Sequence, residues 1–525
     1  MMRFFRWLPL ALITVAAFWL RTHELDRRPM HADEANQAVK LGGLLDAGHY
    51  EFDPLDHHGP TLYYAALPIA WLRGERSLAT LTETTVRLVP ALFGTLSLVL
   101  LVLAGDGLCR EQPAGGAASC REPSPQQARP AVRPCWPALA AGAFMAVSPP
   151  AVYYSRYFIQ ETLLVTFTLA TFLCVRAWWR TGLTRWALAA GISAGLMQST
   201  KASAPLFIVT MLMAVLLARR ARGYERERVD FPGGEFGSRR SVVWPRQTGI
   251  AVLAALVTAA LLYSSFGTNL AGLRDAFSVY AQAITRFGAD AAPTGHEKPW
   301  WYYLKIFGWY REGGLVWHQA AFSALAVAGL IVAFMRRERF LRGCAIYTVV
   351  ITAAFSSFAY KTPWHTVHFV PGFALLASGT LMAISRLRTG RLVAIAFAFI
   401  VIATLYQQTG RAVFLRPSDQ RNPYAYVHSS FDVVKYRALA EAAIGRSPGQ
   451  PVRVISEEYW PLPWYLRGLP RVGFYSTPPE DCDGALVIVS ATQADAVRAK
   501  LEGVYRESFL GLRPGFVCIL FTPEP

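Results

Sequence analysis

Eleven apolar runs, each near the length of a membrane helix, alternate with loops in which arginine collects. A segment needs about 20 mainly apolar residues to cross about 30 Å of hydrocarbon. The runs fall at about 4–20, 86–105, 137–154, 162–179, 186–200, 203–218, 248–264, 315–335, 343–360, 364–384 and 391–406. With 53% hydrophobic and 13% aromatic residues, the chain is too apolar for an ordinary soluble enzyme. The pattern predicts a mainly α-helical polytopic membrane protein.

The charge pattern orders these runs. The net charge is +17. A basic chain raises nucleic-acid binding, but these arginines form no single patch and no nucleic-acid partner is expected. They gather at 106–136, 180–185, 219–246, 336–342 and 385–391. Cytoplasmic loops carry such an excess. With the N-terminus inside, every arginine cluster falls on the cytoplasmic face. The intervening loops, including the long ones at 21–85 and 265–314, fall outside. The charged start "MMRFFRW" also suits a signal peptide, but no small-x-small cleavage site follows, so the first run reads as a retained span. "TLYYAALPIAWL" at 61–72 is short for a span and reads as an interfacial helix. Counting it as a span would place the arginine clusters outside.

Two regions are expected: a transmembrane part over 1–406 and an extracytoplasmic α/β domain over 407–525. In the second, "VRVIS", "ALVIVS" and "FVCILF" read as buried strands, and "DVVKYRALAEAAIG" and "ATQADAVRAKLEG" as amphipathic helices. Of the seven cysteines, Cys109, Cys120 and Cys135 share one Pro/Arg-rich loop with no zinc-ligand spacing. Cys482 and Cys518 fall in the tail and are candidates for a disulfide there.

The outer face collects the remaining ionisable motifs. Asp33 and Glu34 stand side by side in "HADE"; Asp56, His57 and His58 follow; Arg156 and Glu161 bracket "YFIQ". Lys201 lies in a tight hairpin, "HEKPWWYY" brings His296, Lys298, Trp300, Trp301 and Tyr302, and "KTPWHTVH" brings Lys361, Trp364, His365 and His368. Each residue also has a plainer reading. Asp33 suits a helix N-cap, Glu161 a cap on the next span, Arg156 and the lysines interface anchors, the His57–His58 pair a helix start, and the tryptophans an aromatic belt. Charges of both signs at one depth nevertheless suggest a site. Cations suit an anionic head group, aromatic rings suit a sugar face or lipid tail, and a carboxylate facing a hydroxyl can take its proton.

An acidic pair in the first outer loop resembles the hallmark of GT-C type membrane glycosyltransferases, which include the protein O-mannosyltransferases and the lipid A aminoarabinose transferase. "HADEANQA", "YYSRYFIQE", "HEKPWWYYL" and "YKTPW" are similar to a prokaryotic dolichyl-phosphate-mannose–protein-mannosyltransferase-like branch, sometimes labelled flippase-activity-associated. The resemblance implies a GT-C fold and inverting transfer of a sugar from a polyprenyl-phosphate donor to a protein, lipid or glycan acceptor on the extracytoplasmic face of the cell membrane. It implies Asp33 as the base, with Glu34 sharing that role, and Glu161 in place of a second acidic residue. Lys298 and Lys361 would contact the donor phosphate, beside Arg156, Lys201 and His365. Trp300, Trp301, Tyr302 and Trp364 would contact the sugar or donor. Some relatives bind a divalent metal, for which Asp56, His57, His58 and His296 have ligand chemistry but no diagnostic spacing. The rival reading, a lipid-linked sugar flippase or its accessory, calls for polar residues along several spans, which this sequence lacks.

Overall fold

The computed structural model describes residues 7–55, 58–110, 135–220, 236–287, 296–336 and 338–524. The first span is α1 (Leu8–Thr22). The outer loop after it contains α2 (Ala32–Ala47) and α3 (Thr61–Leu72). Gly48, at φ 75°, ends α2 in the left-handed conformation that favours glycine. Then follow α4 (Glu83–Gly105), the short α5 (Gly107–Arg110), α6 (Trp136–Val147), α7 (Pro149–Tyr154), α8 (Glu161–Thr181), α9 (Thr184–Gln198), α10 (Ala204–Arg220) and α11 (Phe236–Tyr263). The second long outer loop holds α12 (Ala271–Phe287) and α13 (Tyr302–Phe307). It ends in a hairpin of β1 (Trp309–Glu312) and β2 (Leu315–His318). The last spans are α14 (Ala320–Met335), α15 (Arg339–Ser357), α16 (Val370–Ser385) and α17 (Gly390–Thr409).

Each of the eleven expected runs is mainly helical. Among the described residues, six helices are long and apolar enough to cross a membrane by themselves; α1, α6, α10 and α14 are shorter apolar helices. Two expected spans need correction. The run at 137–154 breaks at Ser148, which is extended (ψ 126°). Pro149 and Pro150 follow; proline disfavours helical geometry in the residue before it and has no N–H to continue the ladder. The run at 315–335 gives up its first residues to β2, because Gly313 and Gly314, both at positive φ, turn the chain into a hairpin.

A wide helical turn carries α17 on to Leu415, and the tail follows it. It contains α18 (Lys435–Arg446), β3 (Val452–Ile455), α19 (Leu462–Tyr465), β4 (Val472–Tyr475), β5 (Leu486–Ser490), α20 (Ala494–Arg498), β6 (Tyr505–Arg513) and β7 (Phe516–Pro523). The sheet order is β4-β3-β5-β7-β6; β3 is parallel to β4 and β5, and β7 is antiparallel to β5 and β6. The three strands expected from sequence are β3, β5 and β7. Strands β4 and β6 lie at the edges, more exposed and less uniformly apolar.

Alternation along the strands separates two cores. Val454, Leu486, Ile488, Cys518 and Leu520 face one side, and Ile455, Val487, Val489, Ile519 and Phe521 the other. Cys482 packs with the second set, so it cannot meet Cys518; both are buried free thiols. The disulfide instead joins Cys109 to Cys135, while Cys120 lies outside the described residues. The first core also contains Met30, Ala35, Leu41, Leu62 and Tyr63. The tail and the first outer loop therefore share one apolar interior.

Candidate active site

The site begins at the N-terminus of α2. His31, not Asp33, is the cap: its Nδ1 accepts from the Asp33 N–H (3.0 Å). In return Glu34 Oε2 accepts from the His31 N–H (3.4 Å), which closes a capping box. Adjacent helix positions do not face the same way, and the two acids go to opposite environments. Glu34 is fully buried. Arg87 donates to it from Nε (2.6 Å) and Nη2 (2.8 Å), Arg28 from Nη2 (3.1 Å), and Phe158 from its N–H (3.1 Å). Burial pushes the Glu34 carboxyl up, but Arg87 and Arg28 outweigh it and hold it at about 2. The Asp33 side chain is half-exposed.

Around His31, two residues before Asp33, the fold assembles aromatic and imidazole rings from distant segments. The His31 ring lies 5.5 Å from Tyr157, 5.5 Å from His428 and 6.3 Å from Trp364. Trp364 lies 5.9 Å from Tyr426, whose hydroxyl is hydrogen-bonded to His296 Nδ1. Burial keeps His31 and His428 below the usual imidazole range, so both are neutral at physiological pH.

A second group adjoins the first across the 3₁₀ turn Pro363–His368. Glu161, buried at the start of α8, forms an ion pair with Lys201. His58 pairs through its backbone with Lys201. His365 Nδ1 is 3.1 Å from the Tyr303 hydroxyl and 3.3 Å from Thr362 Oγ1.

Several expected phosphate contacts are otherwise engaged. Arg156 donates to the carbonyls of Leu20, His23 and Glu24 (3.1, 2.6 and 2.9 Å), which ties down the end of α1. Lys361 is buried, and its Nζ donates to the Lys298 carbonyl (2.9 Å) and to that of Phe358. Burial lowers its pKa. Lys298 is half-buried, its N–H donating to the Ala359 carbonyl (3.0 Å). Trp300 and Trp301 are exposed, and Tyr302 packs on Tyr303. Of the four aromatics expected at the sugar, only Trp364 stands beside the His31 ring.

For a metal, Asp56 and His57 lie outside the described residues. Among the described residues, no three His, Cys, Asp or Glu side chains converge as metal ligands do. His296 is engaged with Tyr426, and His58 stands with the Glu161–Lys201 pair.

Sequence reading missed His31, Arg28, Arg87, Tyr157, Tyr426 and His428. Only Arg87 carried a clear signal, as a charge one turn into an apolar helix.

Comparison with known proteins places this geometry. A family model described as dolichyl-phosphate-mannose-protein mannosyltransferase matches residues 130–229. The structure superposes on ArnT from Cupriavidus metallidurans bound to undecaprenyl phosphate with a TM-score of 0.58 at 15% identity, covering 97% of both chains. The chain has the GT-C fold of these membrane glycosyltransferases. The archaeal oligosaccharyltransferase AglB from Archaeoglobus fulgidus, solved with an inhibitory peptide and a dolichol-phosphate, has the same GT-C fold. It gives a TM-score of 0.55 at 12% identity over 97% of this chain and 73% of its own. No curated protein sequence matches the chain significantly. The GT-C fold and its helices make this a multi-span membrane protein.

Proposed function

We propose that this protein transfers a sugar from a polyprenyl-phosphate donor to an acceptor hydroxyl at the outer face of the membrane, with Asp33 as the base. The observation that carries the reading is the division of labour between the two acids. Glu34 is saturated by two guanidiniums and two backbone amides, so it holds the loop. Asp33 is left half-exposed within electrostatic reach of Tyr426, where an acceptor can approach.

In the proposed step, the acceptor O–H gives its proton to Asp33 as its oxygen attacks the anomeric carbon. The bond to the polyprenyl phosphate oxygen breaks from the opposite side, so the configuration inverts. The phosphate leaves with the electron pair, toward the Lys201 side of the turn Pro363–His368. The lipid phosphates bound to ArnT and AglB support a lipid-linked donor. The arginine-rich loops support a cytoplasmic N-terminus with Asp33 on the opposite face.

Asp33→Asn tests the reading. The cap uses the Asp33 backbone N–H, so the variant keeps its fold, while sugar transfer in membranes falls about 100-fold or more, as for loss of a general base. Near-normal transfer would remove Asp33 from the role.

A further inference from the structure

His31 caps α2 with a ring nitrogen, and such a nitrogen accepts a hydrogen bond only while it carries no proton. Nδ1 takes the Asp33 N–H at 3.0 Å. A neutral His31 therefore keeps its one ring proton on Nε2, which is buried and meets no aligned acceptor. A second proton would have to go to Nδ1. There it would face the Asp33 N–H, donor against donor. The Asp33 carboxylate is at hand, its Oδ2 3.9 Å from Nδ1. The ring thus has two states. Neutral, it holds the Asp33 backbone; protonated, it gives up the cap and pairs with the Asp33 carboxylate.

We propose that His31 is a positioning residue which, while uncharged, leaves the Asp33 carboxylate free for an acceptor, and that the tail keeps it uncharged through His428. The buried His428 ring stands edge-on to His31 at 5.5 Å. Tyr157 at 5.5 Å and Trp364 at 6.3 Å pack on the same ring. Beside His428, Ser429 Oγ donates to the Met30 carbonyl and fixes this part of the tail on the loop. Burial is the largest influence on His31 and disfavours the imidazolium. Asp33 and Glu34 on α2 and the Tyr426 backbone in the tail favour it, and Arg28 in the preceding loop opposes it. The balance keeps the ring below its ordinary 6.5. His428 is kept neutral by burial first and then by Arg28, His31 and Arg87, so it brings no charge of its own. The cap stands on geometry alone; its consequence for transfer rests on Asp33 as the base.

The test is nitrogen NMR of the histidine-labelled full chain in lipid bilayers, with sugar transfer in membranes followed beside it. The signal that vanishes in His31→Asn should show Nε2 protonated and Nδ1 bare from pH 8 to pH 6. In His428→Ala water reaches the ring and its pKa rises toward 6.5. That signal should then turn to imidazolium across the same range, while the transfer rate falls severalfold. His428→Phe keeps a ring in place and should keep the wild-type profile. Asparagine caps a helix without titrating, so adding His31→Asn to His428→Ala should abolish the pH dependence. A proton on His31 Nδ1 at neutral pH, or a pH-independent signal in His428→Ala, would overturn the proposal. Normal transfer by Asp33→Asn would remove the base and leave these signals unchanged, so the two failures are distinct.

Discussion

Neighbouring carboxylates at one helix start have taken separate work. Glu34 is a structural anion, and its removal leaves the Arg87 and Arg28 guanidiniums buried without their counter-charge. Glu34→Gln is therefore expected to cost about 3–5 kcal/mol, read as a lower melting temperature in detergent; Asp33→Asn should melt like the wild type. The pH dependence follows from the same pair. The Glu34 carboxyl titrates at about 2 in the fold against 4.5 ordinarily. A depressed pKa gives stability that is complete above pH 4.5 and lost as pH falls toward 2, about 3 kcal/mol in all. Melting followed from pH 5 to pH 3 should show this loss in the wild type, and Glu34→Gln should flatten it. The adjacency of the acids was legible in the sequence; which one meets solvent was not, because that depends on Arg87 arriving from another helix.

Between elements, backbone contact fixes the first outer loop on the membrane helices. The Gly59 N–H donates to the Thr200 carbonyl and the Thr61 N–H to the Ser199 carbonyl (both 3.1 Å). A Cβ at Gly59 would lie 1.9 Å from the Ser199 oxygen, so only glycine permits this approach. Gly59→Ala is expected to destabilise by about 1–3 kcal/mol through overpacking and lost pairing, and an unchanged melting temperature would contradict the contact. Nearby, Glu161 and Lys201 tie α8 to the α9–α10 turn. Their single replacements by glutamine should each lower stability, and the double variant should lose clearly less than the sum, since each single leaves one buried charge alone. Additive losses would argue against the pair. Periodicity and hydropathy made the helices legible. The Pro149–Pro150 break was also written in the chain, but the continuous apolar run concealed it, because hydropathy carries no information about missing N–H groups.

Across the whole molecule, the tail braces the loop that carries Asp33. The Met30 N–H donates to the Tyr465 hydroxyl (2.9 Å), and Ser429 Oγ donates to the Met30 carbonyl (2.7 Å). Trp464 Nε1 donates to Glu83 Oε1 (2.7 Å), and Arg467 holds the Leu81 carbonyl. Replacing Tyr465 by Phe and Ser429 by Ala should lower kcat severalfold with KM little changed, since loosening the loop perturbs orientation more than binding; a raised KM alone would instead place these residues at substrate recognition. By itself the sequence determined the apolar helices and the three buried strands, with their sidedness and the face of the candidate site as expectations. Hydrophobic length and arginine bias are local properties, and a bilayer reads them locally. Only the tertiary structure decided that His31 caps α2, that Glu34 is spent on two arginines, that Arg156 and Lys361 hold carbonyls, and that Trp364, Tyr426 and His428 meet around His31. Those outcomes depend on partners hundreds of residues away, and a charge is free to act only where no such partner has already neutralised it.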